Sequence, residues 1–149
     1  MRIYADPSFL VSLLFPTDAG HAAAKAVFLA HPGAAWLTSE WSQFETVNSL
    51  RQLCRKYTAL AREVPEGLRR YFKHLHRAGQ FEFQETDLLE AVRDGQQYST
   101  AHGCTLTMRG ADVLHVALLE QLNPDLFVTR DRHQHALALA RAFRSQLVP

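Results

Sequence analysis

The chain has 149 residues, 47% of them hydrophobic, and its 16 Lys and Arg against 15 Asp and Glu leave a formal net charge of +1. A chain of this size buries roughly 70% of its unfolded surface without disulfide or metal staples, so a single domain spanning residues 1–149 is expected. The near-neutral balance excludes a global field advertising nucleic acid or a membrane surface, and any basic surface must be local.

The first element is "RIYA" (2–5), a compact β-type run closed by Asp6. The residue before a proline is pushed toward extended geometry and proline suits the first helical position, so Asp6-Pro7-Ser8 reads as strand end, N-cap and helix start. Alone, that makes Asp6 a cap first and a functional carboxylate second. A second strand, "AWLT" (35–38), precedes "TSEWSQFETVNSLRQL", which reads as a helix. Its first-turn Glu40 is accounted for by the helix dipole. Glu45 lies inside the helix, flanked by Trp41, Phe44, Val47 and Leu50, so it is expected beside an apolar stripe where no cap explains it; a plain surface glutamate is the competing reading. Val64, Leu68, Tyr71, Phe72 and Leu75 recur at helical spacing, and "FEF" (81–83) forms a third strand.

In "RGADVLHVALLEQL", Gly110 precedes a helix with Asp112 in its first turn and Leu114, Ala117, Leu118 and Leu122 at core spacing. The fourth strand, "LFVT" (126–129), ends at Thr129. Asp131, two residues on, opens a helix from about Arg132 to Phe143 that turns Ala136, Leu139, Ala140 and Phe143 inward. No internal repeat, low-complexity tract or linker divides the chain. Cys54 and Cys104 lack metal-type spacing, which points to free thiols in an intracellular protein. The N-terminus lacks a signal peptide's features and no apolar run approaches the ~18 residues of a spanning helix, so a cytoplasmic location is expected.

Strands separated by helices imply a parallel sheet covered on both faces, with ligand sites beyond the carboxyl ends of its strands. Asp6, Asp112 and Asp131 all fall at that edge. Singly, each is a cap or dipole partner worth less than ~2 kcal/mol. Together with Glu45 they would repel one another unless a cation sat between them, and oxygen-only ligation suits a hard ion such as Mg²⁺. A cation so held lowers the pKa of a bound water and offsets charge on a leaving oxygen, as phosphoryl transfer requires.

These segments resemble the PIN domain, and within it the VapC-type ribonuclease toxins of toxin–antitoxin pairs. The resemblance spans nearly the whole chain: "YADPSFLVSLL" is similar to the family's opening strand, acid and helix, with Asp6 as the first acid and Ser8 as the nearby hydroxyl residue. "FETVNSLRQL" maps the second acid to Glu45, "RGADVLHVALL" the third to Asp112, and "LFVTRDRHQHALALA" carries Thr129 and the last acid, Asp131. Pro7 departs from the pattern, replacing a small hydroxyl residue and so removing a hydrogen-bonding group and a backbone donor. The resemblance implies a three-layer α/β/α domain on a parallel sheet of about four to five strands. It also implies Mg²⁺- or Mn²⁺-dependent endonucleolytic cleavage of RNA, with the four acids as metal ligands and catalytic residues and Ser8 and Thr129 supporting them. A cognate antitoxin and a homodimer are the implied partners.

One independent feature agrees with an RNA substrate. Residues 51–77 hold eight basic side chains, including Arg51, Arg55 and Lys56, against two acids, which reads either as a solvated helical face or as a track for backbone phosphates. Tyr57 and Tyr71 could stack on bases, although Tyr71 fits the core stripe better. The pairs His74/His76 and His133/His135 are spaced i, i+2 and do not chelate, while His115 is expected to pack. Two other readings compete. A haloacid-dehalogenase-type phosphatase would need a second Asp where Ser8 stands; a catalytically silent PIN-like module binding RNA or protein would not need all four acids.

Overall fold

The computed structural model describes residues 1–56, 73 and 76–149, with only the backbone for 54–56. The helical positions Val64, Leu68, Tyr71, Phe72 and Leu75, and Tyr57, lie outside the described residues. Five strands, β1 (Arg2–Ala5), β2 (Ala35–Thr38), β3 (Phe81–Phe83), β4 (Leu126–Thr129) and β5 (Ser145–Leu147), form one sheet in the order β3-β2-β1-β4-β5. Every pairing is parallel, with Tyr4 opposite Leu37 on one side and Phe127 on the other.

Alternation along the strands sorts the core into two layers. Ile3 and Ala5, with Trp36, Leu126 and Val128, face α1 (Pro7–Leu14), α2 (His21–Leu29) and α3 (Glu40–Lys56). Tyr4, Leu37 and Phe127 face α4 (Leu88–His102), α5 (Gly110–Leu122) and α6 (Arg132–Ala140). The domain is thus the three-layer α/β/α arrangement expected. No helix among the described residues is long and apolar enough to cross a membrane.

The four strands read from sequence have the stated bounds, and a fifth is added. The last helix stops at Ala140 rather than Phe143, because Ala142 turns to φ 62° and the chain re-enters the sheet as "SQL", a polar edge run without a hydrophobic signal. Two helix faces also need correction. On α6 the buried residues are Gln134, Leu137 and Ala138, while Leu139 and Ala140 face solvent. On α3 the buried stripe is Ser42, Thr46 and Leu50, with Phe44 61% and Val47 39% exposed. The hydroxyls of Ser42 and Thr46 can be buried there because both donate to backbone carbonyls, of Ser39 just before α3 and of Ser42 within it.

Candidate active site

The chain winds to opposite sides of β1: β2 lies on one flank and β4 on the other, so the crevice beyond the carboxyl ends of β1 and β4 is the topological switch point. Three of the four acids reach this edge by local rules. Asp6 and Asp131 cap the helices that leave β1 and β4. Because α5 feeds β4 from below, its N-terminus, with Asp112 in the first turn, lies at the same edge. Glu45 sits on the second turn of α3, the helix that leaves β2.

Asp6 is 1% exposed. Its Oδ1 accepts the backbone N–H of Phe9 at 3.0 Å and the Ser8 hydroxyl at 2.8 Å, while Oδ2 is buried without a hydrogen-bond partner among the described residues. One carboxylate oxygen thus caps the helix, as the sequence predicts, and the other is left over. Burial pushes the Asp6 carboxyl above its ordinary range, offset in part by the nearby His115 ring and by the hydrogen bonds from Phe9 and Ser8. Pro7, at the first helical position, costs the site no bond: its missing N–H is one of the orphan donors of a helix start.

Ser8 and Thr129 tie the two loops together. The Ser8 hydroxyl gives its proton to Asp6 and accepts the Arg130 N–H at 2.9 Å, so across the 3.5 Å to Thr129 it is Thr129 that donates. Thr129 Oγ1 in turn accepts the Asp131 N–H at 2.9 Å. Asp131 Oδ1 accepts from His133 and Gln134 N–H groups at 2.7 and 3.0 Å. Asp112 Oδ2 accepts the Arg109 N–H at 3.0 Å, and its Oδ1 lies 3.4 Å from the side-chain amide of Gln134, which donates. Gln134 is 4% exposed, and its Oε1 has no partner among the described residues. The helix started by Asp131 thereby also touches Asp112, a link no pattern of apolar residues announces.

Glu45 is held differently. Its Oε2 lies 2.7 Å from His115 Nε2, and His115 Nδ1 lies 2.9 Å from the Tyr4 hydroxyl. A carboxylate only accepts, so Nε2 carries a proton; burial pushes the Tyr4 phenol far up, keeping it protonated to donate to Nδ1. His115 is fully buried, as expected of a packing residue, yet it also joins the first strand to the second acid. Its place one turn after Asp112 was the only sequence signal for this role. Among the other predicted residues, Arg51 is exposed and donates to Asn48 at 3.0 Å, whereas the side chains of Arg55 and Lys56 lie outside the described residues. Cys104 is a free, exposed thiol.

The donors suit a hard cation in kind: all are oxygens, and one buried carboxylate oxygen lacks a protein partner. In number they stop short, for among the described residues no three His, Cys, Asp or Glu side chains are grouped closely enough to hold a metal ion as they stand.

Against known structures, the chain is similar over 99% of its length to 99% of VapC20 from Mycobacterium tuberculosis, a sarcin-ricin loop cleaving toxin, with a TM-score of 0.71 and 16% identity. The fold is that of a PIN domain. The same PIN fold matches VapBC2 from Rickettsia felis, bound to a DNA fragment from their promoter, over 100% of both chains (TM-score 0.62, 10% identity). FitAcB from Neisseria gonorrhoeae matches over 96% of this chain and 95% of that one (TM-score 0.57, 15% identity). No protein-family model and no curated protein sequence matches the chain. At these identities the likeness establishes architecture; chemistry has to be argued from the site.

Proposed function

We propose that this PIN-fold chain is a metal-dependent endoribonuclease that cuts RNA phosphodiester bonds as the toxin of a toxin–antitoxin pair. The observation that carries the reading is the buried Asp6 carboxylate with one unshared oxygen, set at the switch point with Asp112 and Asp131 at the same edge. A carboxylate is stripped of water at a cost of several kcal/mol, which a merely structural cap does not require. Asp6, Glu45, Asp112 and Asp131 would hold Mg²⁺ or Mn²⁺, and the bound ion would supply charge neutralisation and an activated water at the scissile phosphate.

The chain's own residues do the positioning. Ser8 and Phe9 N–H fix Asp6 Oδ1, so its other oxygen has a set direction. The Ser8–Thr129 contact and the Thr129–Asp131 bond hold the β1 and β4 loops at a fixed separation. Gln134 restrains Asp112. Arg51, and the basic run that follows it in sequence, would meet backbone phosphates leading to the acids. VapC20 suggests a structured RNA loop as the first substrate to test, while VapBC2 and FitAcB support a search for an antitoxin partner. A homodimer is part of the same proposal.

The test is cleavage of structured RNA by the purified chain with Mn²⁺, with EDTA, and by Asp6→Asn purified identically. Cleavage confined to the wild type with metal supports the reading. One rival needs no such group of acids: a module that binds RNA or protein without cutting. Binding without cleavage at saturating Mn²⁺ would establish that rival.

A further inference from the structure

The four-acid reading uses Glu45 but leaves its two partners, His115 and Tyr4, without a role. His115 has no exposed surface, lies in the core between α5 and the sheet, and spends both ring nitrogens on hydrogen bonds of 2.9 and 2.7 Å. A buried imidazole that only fills space is replaceable by an apolar residue; one bonded at both nitrogens has a fixed tautomer and ring plane. The Tyr4 ring stacks on Phe127 at 5.8 Å, so the far end of the relay is anchored in the central strands. Trp41, one helical turn before Glu45, packs its ring 6.2 Å from the His115 ring and closes the other side.

Glu45 needs such an anchor more than the other acids do. Asp6, Asp112 and Asp131 are each oriented by backbone N–H groups at helix starts, on short side chains. Glu45 is mid-helix, carries one more rotatable bond, is partly exposed, and is held by a side chain, His115, rather than by a helix-start N–H. Free in solvent, its carboxylate would sample several rotamers, and ordering it would be charged against metal binding.

We propose that His115, fixed by Tyr4, is a positioning residue that pre-sets the Glu45 carboxylate for the metal centre. The inference rests on the metal-dependent reading above and adds to it a residue outside the four acids. The imidazole N–H holds Oε2 and leaves Oε1 for the cation, the arrangement by which outer-shell hydrogen bonds tune metal-binding side chains.

The test measures Mn²⁺ affinity by calorimetry and by thermal shift on the full chain, without substrate. Removing an outer-shell partner weakens metal affinity about 10–100-fold, and that loss is expected for His115→Leu. His115→Gln, whose amide N–H can occupy the Nε2 position, should recover most of the affinity. Tyr4→Phe, which keeps the stacked ring, should give an intermediate loss. Melts without metal report any general damage separately. A double-mutant cycle isolates the effect: in a Glu45→Gln background, His115→Leu should cause no further loss. Equal losses with and without the Glu45 carboxylate, or unchanged affinity in His115→Leu, would overturn the proposal. If wild type itself shows no Mn²⁺ binding, the metal-dependent reading fails first, and the inference with it.

Discussion

The β1–α1 and β4–α6 junctions are built to one plan and end in different electrostatic states. In each, a parallel strand ends, an aspartate caps the next helix through its Oδ1, and a hydroxyl residue braces the turn. Asp131 sits at the periphery, partly exposed, beside the edge strand β5. Asp6 follows the central strand and is sealed from water, with Oδ2 unpaired and its carboxyl pushed up by burial. The same cap therefore costs little at one junction and a good deal at the other. What separates the two carboxylates is the strand each follows, because centrality in the sheet sets desolvation.

The largest expected effect lies at the buried junction. Asp6→Asn keeps the cap, since Asn also accepts from the Phe9 N–H, but removes the charge. RNA cleavage should fall by two orders of magnitude or more, about 3 kcal/mol of transition-state stabilisation. Asp131→Asn, the same change at the exposed junction, should cost about a tenth as much in rate, roughly tenfold. Equal losses at both sites, measured as single-turnover rates, would show that burial is not what separates them.

Next in size is the metal itself. An ion that binds only the folded site stabilises by roughly 2.7 kcal/mol at a hundredfold excess over Kd, worth several degrees in melting temperature. Asp112→Asn should shrink that Mn²⁺ shift while raising the metal-free melting temperature by relieving repulsion. A lowered metal-free melting temperature with no Mn²⁺ shift in either protein would leave Asp112 as a helix-start residue bonded to Arg109.

The contrast between the junctions also explains how much could be read in advance. Strand-acid-helix order is local, so β1, β2, β3, β4 and the positions of Asp6, Asp112 and Asp131 were legible from short runs and turn chemistry. The edge strand β5 was not, because "SQL" pairs through its backbone and carries no apolar alternation. Nor were the buried faces of α3 and α6, where Ser42, Thr46 and Gln134 are tolerated inside only because hydrogen bonds compensate them. His115 joins residues 70 and 111 positions away, and no window of sequence contains those contacts.

A smaller effect is expected from the exposed cap. Asp131→Ala removes the acceptor for the His133 and Gln134 N–H groups and should cost about 1 kcal/mol of stability, read from chemical denaturation. Asp131→Asn should recover nearly all of it, because the cap needs an oxygen and not a charge.

The smallest effect, and the one that reads the Asp6 environment most directly, is a pH-dependent difference in metal-free melting temperature between wild type and Asp6→Asn. Burial raises the Asp6 pKa in the folded protein above its unfolded value, so the native state holds a proton that the unfolded chain, with an ordinary pKa near ~3.9, would release. Between those two pKa values the native state binds more protons, and stability falls as pH rises. Above the folded pKa the full cost of the buried charge is present; below about pH 4 none of it is. Asp6→Asn never carries that charge. The variant should therefore melt higher than wild type at pH 7, with the gap closing steadily as pH is lowered toward ~4. His115 and the other acids are common to both proteins, so the difference curve isolates position 6. Saturating Mn²⁺ should reverse the sign of the gap at pH 7, because the cation supplies the partner that Oδ2 lacks. A gap that does not change with pH would mean that Asp6 is already solvated or already paired, and would remove the electrostatic distinction between the two junctions.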